Sequence, residues 1–189
     1  GTPSLWGESG ARFIERLKNQ LGLSFSKDCE FTLEVNPGGW SKESISSFES
    51  VGVNRYSIGI QSLNAKTISF LDRFHSLEDS YETMDFFKNK NNFSLDLMIG
   101  LPETSGRLDL EKEMEKLVSY HPHHLSVYIL GVKSNYKYFK ELPSDEIIEA
   151  EYLLVSDFLR SKGFEHYEVS NFAKPGYESR HNQKYWELN

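Results

Sequence analysis

Four apolar runs, at residues 31–35, 56–60, 93–99 and 125–130, each stop at or beside a polar group and lead into a helix-like stretch. The polar groups are Glu34 and Asn36, Gln61, Asp96 and Tyr128. The runs recur at about 30 residues, the length of one βαβ unit. Nearly continuous apolar runs suit parallel strands whose outer face is covered by helices. This pattern restricts the chain to an α/β fold of the parallel barrel type, in which polar residues at the C-terminal strand ends face the ligand. Four strands do not close a barrel, so the expected architecture is a partial, open one.

The stretches between the runs read as helices. Phe13, Ile14 and Leu17 share one face of residues 8–20. Ser41 caps a helix carrying Ile45 and Phe48, with Ser44 where a full capping box would have Glu. Asn64 begins a short helix, and Ser76 caps residues 77–88 with Asp79 at the third position. Residues 107–119 turn Leu110, Met114, Leu117 and Val118 inward. Ser144 opens a helix to about Lys162, and Gly163 suits its C-cap. Residues 167–172 read as a last strand, followed by a turn-rich loop to Glu178.

A net charge of −7 argues against a general nucleic-acid binder. No apolar stretch approaches the roughly 20 residues of a membrane span. No signal-peptide pattern is present, and the single cysteine, Cys29, suits a reducing cytoplasm. One cysteine forms no internal disulfide and no all-cysteine iron–sulfur site. The opening Gly1-Thr2-Pro3-Ser4 has no Met, and the chain reads as a piece of a longer protein.

Several residues stand out chemically. Glu34 lies in an apolar strand, where a carboxylate needs a ligand or an ion pair, with Arg55 or Arg73 as partners. Gly59, before Gln61, removes a side chain where a ligand or another backbone comes close. Asp96, among Leu95, Leu97 and Met98, requires a hydrogen-bonding role. Arg73 suits a carboxylate, although a solvated arginine is the ordinary case. His121-Pro122-His123-His124 precedes its strand and lacks companion cysteines, which argues against zinc. His181, within Arg180-His181-Asn182 and close to Tyr185-Trp186, reads as a haem ligand, a general acid/base or a packed loop residue.

Six segments in order resemble the oxygen-independent coproporphyrinogen III oxidase family of radical SAM proteins. They are Gly1-Thr2-Pro3-Ser4, Glu34-Val35-Asn36-Pro37, Gly52-Val53-Asn54-Arg55, Ser57-Ile58-Gly59-Ile60-Gln61-Ser62, Leu95-Asp96-Leu97-Met98-Ile99-Gly100-Leu101-Pro102 and Tyr167-Glu168-Val169-Ser170-Asn171-Phe172-Ala173. The ending Glu178-Ser179-Arg180-His181-Asn182, with Tyr185-Trp186, is similar to the HemW branch, whose role is haem chaperone.

The resemblance implies a six-stranded radical SAM barrel, with residues 1–163 as its partial barrel and 164–189 as the start of a C-terminal region. In the full-length protein it implies S-adenosylmethionine (SAM), a [4Fe–4S] cluster on a CxxxCxxC loop, and haem or porphyrin, with a haem-accepting protein as a further partner. The alternative within the family is an oxidoreductase that decarboxylates two propionates of coproporphyrinogen III to vinyl groups.

Position by position, Gly1, Thr2 and Pro3 resemble the segment receiving the SAM amino group. Glu34, Gln61 and Arg73 resemble contacts to its amino-acid and ribose parts, and Asp96 the ribose ligand. Met98 and Gly131 fall where adenine rests, and His181 resembles the proposed haem ligand. Tyr128 is left as packing. The cluster cysteines are absent, so this chain alone is expected to be inactive. Asp72 stands where the family has Gly, and Gly39 where Thr is common. An uncovered edge beside residues 31–35 would invite an oligomer.

Overall fold

The computed structural model describes residues 2–106, 109–136 and 138–187. Strands β1 (Thr32–Val35), β2 (Arg55–Gln61), β3 (Phe93–Ile99) and β4 (His124–Ile129) lie parallel, each beside the next. Strands β5 (Glu165–Glu168) and β6 (Asn171–Ala173) extend the sheet antiparallel, giving the order β1-β2-β3-β4-β6-β5. The result is a mixed, open, six-stranded α/β sheet.

Seven helices join or flank the strands within the described residues: α1 (Gly7–Leu21), α2 (Lys42–Ser50), α3 (Ala65–Phe70), α4 (Leu77–Phe87), α5 (Leu110–Val118), α6 (Asp145–Ser161) and α7 (Arg180–Trp186). The caps explain several boundaries. Ser41 accepts from the Ser44 amide, and the Ser44 hydroxyl accepts from the Ser41 amide. Ser44 therefore completes the capping box in place of Glu. Ser76 and Asp79 form a second box at α4. Gly163, at φ 78°, follows the end of α6.

The strands alternate. Leu33, Val35, Ile58, Phe93, Leu95, Leu97, Leu125 and Val127 are buried together with Ile45, Phe48, Met84, Phe87, Met114, Leu117, Val155 and Leu159 of the helices. Removing each large side chain from water contributes about 1.5–3 kcal/mol, which fixes the register of every strand. The intervening residues Thr32, Glu34, Arg55, Ser57, Ser94, Asp96, Met98, His124, Ser126 and Tyr128 occupy the other, concave face. The nearly continuous apolar runs are thus interrupted by small serines, which sit on a polar concave face.

A correction concerns the expected strand 167–172. Val169 and Ser170 form a turn, with Glu168 opposite Asn171, so the segment is a hairpin. Between the pairs His166/Phe172 and Glu168/Asn171, Tyr167 is the extra residue. Such a bulge re-aims its side chain.

The turn-rich loop then leads into α7, a helix absent from the sequence reading. Glu30 accepts from the Ser179 hydroxyl and the Arg180 amide at 3.4 and 3.2 Å. The Arg180 guanidinium donates to the Asp28 carbonyl. The end of the chain is therefore anchored to the segment just before β1. No helix among the described residues is long and apolar enough to cross a membrane.

Candidate functional site

At the C-terminal end of β1, Asn36 donates to the Thr2 hydroxyl at 2.9 Å. Across from it, β2 carries a bulge between Ile58 and Gln61. Gln61 is buried and adopts φ 66°, a left-handed conformation that a non-glycine residue holds only against a backbone cost. Gly59 makes room for this arrangement. A β-carbon there would lie 3.0 Å from Gln61 Nε2 and 3.4 Å from Asn36 Oδ1. Two amide side chains and the Thr2 hydroxyl thus converge at the strand ends.

Deeper in the concave face, Asp96 is half-buried and accepts from Ser57 at 3.2 Å. Burial pushes its carboxyl up to about 6, against the hydroxyls of Ser126 and Ser57 and the charge of Arg55, which favour ionisation. Ser94 lies 2.8 Å from His124 Nδ1, and His124 Nε2 lies 2.8 Å from the Tyr167 hydroxyl. The Ser179 amide and the Asn182 side-chain amide both donate to that hydroxyl, at 3.2 and 3.3 Å.

These contacts determine the proton positions. Tyr167 accepts twice, so its one proton goes to His124 Nε2. Burial holds the imidazole neutral by lowering it to about 3, so its proton is on Nδ1 and goes to Ser94. Ser94 then donates toward Asp96 at 3.5 Å. Every donor in the chain from α7 points toward the Asp96 carboxylate.

Between the concave face and α7 lies a cavity of about 700 Å³. Glu30, Thr32, Glu34, Arg55, Ser57, Ser126 and Tyr128 line it from the sheet side, and Arg180, His181 and Lys184 from α7. His181 is exposed on this wall, its amide donating to Glu30 at 3.4 Å while its ring is turned to no protein partner among the described residues.

The structure places the sequence-predicted residues in three areas. Thr2, Pro3 and Gln61 lie at the strand ends, with Pro3 opening a short 3-10 turn; Gly1 lies outside the described residues. Glu34 and His181 share the cavity wall. Glu34 is exposed and, among the described residues, makes no ion pair, which corrects the expectation of a buried carboxylate. Asp96 and Met98 lie on the concave face of β3, Met98 opposite Tyr128 in register.

Arg73 is instead on the wall of a second cleft, of about 420 Å³, beside Asp72, Phe74 and His75. Asp72 adopts φ 51°, a conformation glycine takes without strain and aspartate tolerates. Gly131 is exposed, with open space around it.

Tyr128, left as packing from the sequence, is 42% exposed and lines the cavity. Of the histidine cluster, His123 packs on Tyr177 and His124 turns into the concave face. Ser57, Ser94, Ser126, His124 and Tyr167 were missed. Their signal was present as small or polar residues at alternate strand positions.

An open α/β sheet with a polar concave face and polar strand ends is the scaffold of a barrel-type ligand-binding protein. The model of the radical SAM superfamily matches residues 1–114, and the chain belongs to that superfamily. Its relatives include the heme chaperone HemW of Buchnera aphidicola subsp. Schizaphis graminum, 31% identical over 98% of this chain and 50% of the relative. The heme chaperone HemW of Escherichia coli is 32% identical over the same shares.

The mitochondrial radical S-adenosyl methionine domain-containing protein 1 of Danio rerio is 36% identical over 98% of this chain and 44% of the relative. The chain spans about half the length of the curated relatives it matches. Coproporphyrinogen III oxidase (HemN) from Escherichia coli shares the fold, with a TM-score of 0.77 at 20% identity, over 99% of this chain and 44% of that one.

Proposed function

We propose that this chain is part of a HemW-like radical SAM protein of haem metabolism, which holds SAM at the strand ends and haem beside α7, and serves as a cytoplasmic haem chaperone. One observation carries the reading. His181 presents an exposed imidazole to a cavity whose other wall is the polar concave face of the barrel strands. A haem chaperone needs an iron ligand and a cavity, and no turnover.

The donor chemistry at the strand ends fits SAM in part. Thr2, Gln61 and Glu34 would receive its amino-acid portion, and Asp96 its ribose hydroxyls, with Met98 and Gly131 toward adenine. Arg73 would meet the carboxylate, in which case its segment must turn toward the mouth. SAM, when bound beside a reduced cluster, supplies a carbon radical. The residues here do not fit that cluster: Cys29 is the one cysteine, and no group of three metal-ligating side chains occurs among the described residues.

Titration of the protein with haem tests the ligand. A shifted Soret band that His181→Ala abolishes is expected; an unchanged titration overturns the assignment. The runner-up reading is a coproporphyrinogen III oxidase, favoured by Arg55, Arg180 and Lys184 around the cavity, which suit a tetracarboxylate. Vinyl product from coproporphyrinogen III, formed by the longer protein, would select it. This chain by itself is expected to cleave no SAM after anaerobic cluster reconstitution, and cleavage would overturn that expectation.

A further inference from the structure

Arg55 is a buried cation that has no carboxylate in direct ion-pair contact among the described residues. It is the first residue of β2, only 4% exposed, and lies on the wall of the cavity shared with α7. The one hydrogen bond of its guanidinium among the described residues is a long one, 3.4 Å from Nη1 to the Thr32 hydroxyl. Its Nε–H is buried and has no partner among the described residues. No carboxylate of the described residues reaches it within ion-pair distance.

The acidic groups facing the cavity are otherwise occupied or out of reach. Glu30 is spent on the start of α7. Asp96 feels the Arg55 charge but takes its hydrogen bonds from serines. Glu34 stands exposed one strand away, and Asp28, also on the cavity wall, is exposed in the segment before β1 and makes no ion pair with Arg55.

A buried guanidinium with an unfilled donor is costly, and native proteins rarely leave one without a reason. Its planar fork matches a carboxylate through two parallel hydrogen bonds. We propose that Arg55 is a ligand-binding residue which receives a carboxylate of the molecule occupying this cavity. Ser57, Ser126 and Tyr128 line the same cavity and add polar groups to it. The identity of that molecule rests on the haem reading above, in which the group is a porphyrin propionate. Arg55 would then hold the acidic edge of the macrocycle while His181 meets the metal.

Iron-free mesoporphyrin IX and its dimethyl ester separate the two ideas, since neither offers iron to His181. Binding to the wild-type chain is followed by quenching of tryptophan fluorescence. The ester is expected to bind about tenfold or more weakly than the free acid, as leaving a buried donor unfilled predicts. Arg55→Met should lose this discrimination, and Arg55→Lys should keep only part of it. Thermal melting checks that both variants fold, and the wild-type comparison of acid with ester needs no variant.

Equal binding of acid and ester, full discrimination by Arg55→Met, or no binding of the free acid overturns the proposal. Discrimination that depends on Arg55, without a His181-dependent Soret shift for haem, supports the carboxylate site and removes the iron ligand. The reverse result removes Arg55 and leaves the haem reading standing.

Discussion

On the helix-covered face of β3, Phe93, Leu95 and Leu97 are fully shielded from water. One residue along, Ser94, Asp96 and Met98 face a polar concavity with its own hydrogen-bonded chain. The two faces belong to the same strand and differ by one position of register. The apolar face is covered by α4, α5 and α6 and supplies the free energy that holds the sheet. The concave face contributes little to that sum and instead displays donors, acceptors and, in Arg55, a cation with no direct ion pair among the described residues. Stability and ligand chemistry are thus separated by the pleat.

Phe93→Ala should draw the contrast most strongly. Deleting a fully buried ring costs about 3–5 kcal/mol, read as a lower midpoint in urea unfolding at unchanged slope. A loss no larger than that of a concave-face variant would break the comparison.

Asp96 gives the next effect, through pH. Its folded value of about 6 lies above the ordinary value near 4, so the folded state holds the proton more tightly. The stabilisation from this group is fully present below about pH 4 and is lost as pH rises through about 6, a change on the order of 1–3 kcal/mol. Asp96→Asn should flatten that slope in denaturation curves taken across the range. An unaltered slope would place the titration elsewhere.

Tyr167→Phe removes the hydroxyl that joins His124 to the start of α7. A loss of about 1–2 kcal/mol is expected, with faster hydrogen exchange at the Ser179 and Asn182 amides and none of the change spreading to α4. Uniform exchange would show that the chain of hydrogen bonds does not position α7. Ser57→Ala should be smallest: the melting curve stays put while the Asp96 carboxyl, having lost a hydroxyl donor, titrates at higher pH by carbon NMR. A downward move would contradict the assigned direction of that bond.

The parallel strands and most helices were legible because their signals are local. Ser41, Asn64, Ser76 and Gly163 mark ends by chemistry that acts within one turn. The break at Val169–Ser170 was not legible, since β-branched Val169 favours a strand, Ser170 is a lone turn signal, and the hairpin is held by β6 pairing with β4. Of the site, Gln61 was visible as a polar residue at a strand end and Asp96 as a carboxylate within an apolar strand. Arg55 was visible as a possible partner for Glu34 and as the end of the Gly52–Arg55 segment, with no ligand role attached. Its isolation depends on where the remaining carboxylates lie, and that is a property of the folded chain.

The order of the parallel strands and of the helices between them, the polar strand ends and the family follow from the sequence, because periodicity, caps and motifs are encoded within neighbouring residues. The tertiary structure decided which face of each strand looks inward, that Tyr167 reaches His124 through a bulge, and that α7 returns to Glu30 beside β1. Those outcomes depend on contacts between residues as much as 152 positions apart, as for Arg180 and Asp28. Such contacts are selected by the packing of the whole sheet, which no local pattern specifies.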